Sequence, residues 1–249
     1  MRLKSIHLLA MALLISVALI AMNVRAQTPA QLYDLSGMAA HQRHFQDALS
    51  AAQQRYAQQL PANVHASLVN KSNQRFEPQA MQDRARSRLA VTLPDSAHEK
   101  AIEFYRSPLG RKVVTMETRA TAPASVKEMQ RGIPQQQIDP QRYTLLRQLG
   151  TTLPALEVGV EVSMALANLA TDSANELLGG LFQVPVDLVS ARRENIRNQM
   201  VPELPNTLAY VYRDLSNQEL EQYLQWTQTA EGVATYQAMT QATSEALNP

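Results

Sequence analysis

Three groups of side chains have the types and spacing to do chemistry. Glu157 and Glu161 stand one helical turn apart in the apolar run "LPALEVGVEVSMALANLA", on a face shared with Asn168 and Asp172. A carboxylate taken out of water must be paired or have its pKa raised. Such a stripe is either a binding site or the wet side of an amphipathic helix whose other sides are covered. His41 and His44, with Asp47, share a predicted helix face in "AAHQRHFQDA". Imidazole and carboxylate suit a metal ion, but no second ligand cluster follows and Arg43 is adjacent, so a solvated face is the better reading and no metal is expected. Arginines form two sets, Arg84, Arg86 and Arg88, and Arg192, Arg193 and Arg197. Each set could clamp a carboxylate or phosphate. The neighbouring Asp83 and Glu194 favour ordinary surface pairing, at most ~1 kcal/mol per pair.

The local signatures of common catalysts are missing: there is no Gly-x-Ser-x-Gly, no His-Glu-x-x-His, no glycine-rich phosphate loop and no calcium-binding loop. There is no cysteine, which removes a thiolate nucleophile, a disulfide framework and a lipid-modified cysteine. No cofactor is expected, and the chain reads more readily as a binding protein than as an enzyme.

The elements that must position these groups are helices. The sequence is rich in Ala, Gln, Leu, Glu and Arg, poor in glycine and aromatics, and shows no sustained alternation of apolar and polar residues. Three capping boxes mark expected helix starts: Ser96 with Glu99, Ser173 with Glu176, and Ser216 with Glu219. Prolines and polar runs break the pattern at 60–62, 77–78, 107–108 and 132–140. Helices are predicted over 29–36, 38–58, 64–74, 79–91, 96–106, 108–130 with a kink at Pro123, 141–150, 154–171, 173–182, 186–200, 205–214, 217–228 and 230–247. The fold class is therefore all-α, a bundle or array of about a dozen helices.

Residues 1–26 have the build of a secretory signal: Arg2 and Lys4, an apolar run from Leu8 to Met22, then Val24 and Ala26. The expectation is export to the periplasm with cleavage after Ala26, leaving no transmembrane segment. Removing Arg2, Lys4 and Arg25 turns 23 basic against 22 acidic residues into 20 against 22, a formal charge of −2. That balance offers no positive footprint for nucleic acid.

A unit recurs within the chain. "LPDSAHEKAIEFYRSPLG" (93–110) aligns without a gap on "LSNQELEQYLQWTQTAEG" (215–232), pairing Leu93 with Leu215, Glu99 with Glu221, Phe104 with Trp226, Ser107 with Thr229 and Gly110 with Gly232. In each copy a helix ends in an aromatic, and a Ser or Thr caps the next helix, which has a glycine in its first turn. Ser107 is expected to cap the helix that Pro108 starts. The chain is thus read as a signal over 1–26, a first helical unit over 27–135 and a second over 136–249, two tandem and similar halves that either stay separate or pack as one body.

"IEFYRSPLGRKV", repeated more loosely as "LQWTQTAEGVAT", resembles the signature of the exported bacterial family catalogued as domain of unknown function 2059, most strongly over 79–117 and 200–239. The second copy departs from it at Thr227 and Ala230, where the family tends to have Tyr and Pro. The resemblance implies an all-helical exported protein of Gram-negative bacteria and supplies no catalytic residues.

Most aromatics fall inside predicted helices and are expected in the core, with Tyr105 or Tyr223 as candidates for a binding face. The functional expectation is a non-catalytic module that binds an envelope protein or small ligand through a surface between the halves. The alternative is a small-molecule carrier or hydrolase with a pocket there, using Glu157, Glu161 and one arginine set.

Overall fold

The computed structural model describes residues 29–129, 131–134, 136, 138–177 and 186–248. The predicted signal segment, with its cleavage after Ala26, lies outside the described residues, as does part of the helix expected over 173–182. Among the described residues the secondary structure is helical throughout. A short helix over 29–35 (α1) is followed by α2 (Met38–Tyr56), α3 (Ala62–Arg75), α4 (Pro78–Thr92), α5 (Asp95–Arg106), α6 (Pro108–Thr121), α7 (Pro123–Met129), α8 (Pro140–Thr152), α9 (Ala155–Leu177) and α10 (Val186–Met200). A 3-10 turn over Val201–Glu203 leads into α11 (Leu204–Val211), α12 (Asn217–Gln228) and α13 (Ala230–Leu247).

Prolines set many of the starts. Pro78, Pro108 and Pro140 each occupy the first turn, where a missing N–H costs nothing, and each is preceded by a capping side chain. Glu77 accepts from the Gln79 and Ala80 amides, Ser107 from Gly110, and Asp139 from Arg142. These amide bonds hold the carboxyls of Glu77 and Asp139 below the usual range. At the start of α2 the chain turns through Gly37 at φ 82, a conformation that favours glycine.

Three expectations about starts and breaks need correction. Pro123 does not kink one long helix but divides it, because Ala122 before it is extended, ending α6 and opening α7. Ser96 caps nothing: α5 begins one residue earlier, with Pro94 at the N-cap and Asp95 in the first turn. Ser173 lies inside a continuous α9, where its hydroxyl donates to the Leu169 carbonyl one turn back. Only the box of Ser216 with Glu219 forms, with both reciprocal bonds present.

Two buried clusters hold the array together. The first joins Leu32, Tyr33, Phe76, Met81, Ala85, Leu89, Ala97, Ala101 and Tyr105 to Ala165 and Leu169 of α9 and to Ala238, Ala242, Ala246 and Leu247 of α13. Alanines every fourth residue give α13 a flat face on which α4 lies as its chief partner. The second cluster joins Val113 and Met116 of α6 to Leu145, Leu146 and Leu149 of α8, and to Leu208, Tyr212, Leu220, Tyr223 and Tyr236. Each cluster draws residues from both sides of residue 136, the expected boundary between the units. Phe104, Trp226 and Met239 pack against both clusters and form the wall between them.

No single helix among the described residues is long and apolar enough to cross a membrane; α8 and the start of α9 reach that composition only together, across a 51° bend.

Candidate functional site

The two joints singled out by the sequence have the same geometry. Ser107 (φ −65, ψ 160) and Thr229 (φ −67, ψ 157) each take the amide of the glycine three residues on, at 2.9 Å in both cases. A Cβ on Gly110 would lie 2.0 Å from the Phe104 carbonyl oxygen, and one on Gly232 would lie 2.0 Å from the Trp226 carbonyl oxygen. The glycines therefore admit the end of the preceding helix of the same joint, rather than a separate neighbour. Phe104 and Trp226, which occupy corresponding places, stack on one another with ring centroids 4.6 Å apart and planes 9° from parallel.

Tyr105 does not present a binding face. It follows Ala97 and Ala101 at four-residue spacing on the inner side of α5, is 2% exposed, and points its hydroxyl at the Met239 sulfur, 3.5 Å away. Burial pushes its pKa well up. Tyr223 is likewise fully buried.

Glu157 and Glu161 are brought together with the second arginine set. Arg197 pairs with Glu157 at 2.5 Å, and Arg193 with Glu161 at 2.6 Å. Glu161 also accepts from the Ser244 hydroxyl and the Asn248 amide, both at 3.3 Å, so it ties α9 to α10 and to the end of α13. The stripe is thus neither bare nor simply wet: it is the seat of α10.

The first arginine set serves the end of the chain. Arg84 donates to the carbonyls of Glu245 and Ala246 and to that of Arg75, while Arg75 reaches the Leu247 carbonyl and the Asn248 side chain. The last turn of a helix has carbonyls without intrahelical partners and a partial negative charge, and guanidinium groups satisfy both. Arg88 pairs with Glu245, and Arg86 with Asp34 at 3.6 Å while lying over the Tyr33 ring.

His41 and His44 both meet Thr121, Nδ1 to Oγ1 at 2.8 and 3.0 Å. The Thr121 hydroxyl also lies 3.1 Å from the Thr118 carbonyl. Burial, then the neighbouring His44, pulls the His41 pKa down to about 4. Among the described residues no three of His, Cys, Asp and Glu are grouped to hold a metal ion. His44 and Asp47 line an open depression of about 360 Å³ with Gln42, Arg43, Gln46 and Pro78. His65 bonds the Gln53 carbonyl, whereas the Nε2 of buried His98 has no partner among the described residues.

Glu117 is a buried carboxylate that no sequence motif marks. Its Oε1 accepts from the hydroxyls of Tyr212, at 2.6 Å, and Tyr223, at 2.9 Å, and Tyr223 in turn meets the Tyr236 hydroxyl at 2.9 Å. Burial pushes the Glu117 pKa up, and the two phenol donors oppose that shift. The one available signal was a carboxylate three and four residues from Val114 and Val113 on an otherwise apolar face of α6. Its partners lie 95 and 106 residues away, beyond the reach of any local pattern.

No curated protein and no solved structure matches the chain. The stretch that carries the first joint does find a relative: residues 79–137, from α4 to the segment after α7, match the model of a family described as an uncharacterized protein conserved in bacteria (DUF2059).

Proposed function

We propose that the chain is an exported envelope protein built from two similar helical units, whose work is non-catalytic binding of a partner protein in the periplasm. The observation that carries this reading is the Phe104–Trp226 stack, which sets a ring of the first unit directly on a ring of the second where a small-molecule site between them would need space. A carrier or hydrolase working there would also need Glu157 and Glu161, which arginines already hold. Binding then falls to the outer surface rather than to the seam. That surface carries well-exposed apolar side chains, Val91 at 76% and Leu188 at 59%.

The test is photo-crosslinking in cells, with the probe placed at Val91, at Leu188, or at buried Tyr105 as the control. A discrete adduct from one exposed position, absent from the control, supports the reading. No adduct from either exposed position, in a protein recovered folded from the periplasmic fraction with Gln27 at its N-terminus, sinks it.

A further inference from the structure

Helix α10 is attached differently from the helices that build the two cores. None of its residues from Leu188 to Met200 is buried, and it rests on α9 and the 3-10 turn. Its half-buried side carries Val189, Ile196 and Met200 beside two arginines, and the arginines pair with α9. Arg193 and Arg197, one turn apart, meet Glu161 and Glu157 in reversed order, so the helices run antiparallel. Beside these pairs Met200 fills a notch at Gly159, where a Cβ would lie 2.4 Å from the methionine methyl carbon. A lone helix of this length is marginal in water, and half-exposed ion pairs weaken with salt. Such an attachment opens far below the free energy of global unfolding.

We propose that α10 is a displaceable strap, and that its seat on α9, formed by Glu157, Gly159 and Glu161, binds a helix of another protein carrying two basic residues four apart followed by an unbranched apolar side chain. Charge complementarity identifies the occupant: the seat is shaped and charged for the pattern Arg193, Arg197 and Met200, which α10 supplies from within. The inference names the surface and partner chemistry of the binding role proposed above, and rests on it. The crosslinking test reads capture of a partner in cells, whereas the following test reads displacement in purified protein, so each can fail alone.

The probe is a labelled peptide of residues 186–200, titrated into the full chain and into the full-chain variant Arg193→Ala/Arg197→Ala. Because a covered seat lowers apparent affinity by the fraction of open protein, the variant should bind at least about tenfold more tightly than the wild type. Adding Glu157→Gln should weaken that binding, as should raising salt from about 0.1 to 1 M, which shortens the Debye length from ~10 to ~3 Å. Glu157 is chosen because Glu161 also holds Ser244 and Asn248. Hydrogen exchange of wild type provides a readout independent of the variants, with α10 amides exchanging well before those of α12 and α13. Equal peptide binding by wild type and variant, indifference to Glu157→Gln, or α10 protection equal to that of α13 would each overturn the proposal. So would a concentration-dependent dimer of the variant, which would give the seat to a second copy.

Discussion

The joint over Phe104–Gly110 and the joint over Trp226–Gly232 share a backbone, a cap and a glycine that clears the preceding helix, yet their surroundings differ. Below the first joint α6 places Glu117 among tyrosines; at the corresponding place below the second, α13 places Met239 against Tyr105. What the two share is the device that turns the chain, and what differs is the chemistry buried behind it. Backbone geometry tolerates few residue types at a capped turn with a close carbonyl, whereas a core position accepts whatever its neighbours can pack or satisfy.

The comparison can be broken at its strongest point first. Gly110→Ala and Gly232→Ala should each cost roughly 4 kcal/mol or more, in the tail reserved for substitutions that force the backbone apart. Urea unfolding at unchanged m-value is the measurement. Two losses of similar size are expected; a loss below ~1 kcal/mol at either position would show that the joints are not built alike.

Next in size come Phe104→Ala and Trp226→Ala, at roughly 2–4 kcal/mol, towards the lower part of the aromatic range because both rings are only partly buried. As they stack on each other, the double variant should lose less than the sum of the singles by at least ~0.5 kcal/mol. Strict additivity would mean that the stack does not couple the joints.

Glu117→Gln sharpens the difference between the joints. The folded pKa of Glu117 is raised, so its neutral form is the one favoured by folding, and its contribution is lost as pH climbs from the unfolded value of 4.5 through the folded value. The stability of Glu117→Gln relative to wild type should therefore rise with pH across that window, while Met239→Leu shows no such slope. A flat difference between pH 4 and 8 would contradict the burial of the charge.

The smallest effect is at the caps. Ser107→Ala and Thr229→Ala should each lose about 1 kcal/mol, the usual weight of a capping side chain. Thermal melts of the two variants should shift together, and a silent Thr229→Ala would leave the second turn held by its glycine alone.

What was legible in the sequence was local. The bounds of α10, α12 and α13 follow from the periodicity and from Ser216 and Thr229, and the two joints follow from an aromatic, a cap and a glycine at fixed offsets. The boxes at Ser96 and Ser173 misled because a pattern of Ser and Glu records only the chance of a cap. Pro94 takes the N-cap and the apolar run of α9 carries the helix past Ser173. Tyr105 was legible in principle, since Ala97 and Ala101 already mark its face as internal. The pairing of Glu157 and Glu161 with Arg197 and Arg193 was not, because nothing local says which arginine set folds back on which helix. Glu117 was hidden for the same reason: its partners arrive from the other end of the chain.

The grip of Arg75 and Arg84 on the last turn of α13 has a temporal meaning. Ribosomes deliver the chain from its first residue, yet the first cluster is finished by Ala238, Ala242, Ala246 and Leu247, and the bond from Arg75 to the Leu247 carbonyl spans 172 residues. The face of α4 that meets α13 stays open until residues 238–247 are present. Contacts so distant in sequence are slow to form. The first cluster therefore closes late, when α13 docks on α4.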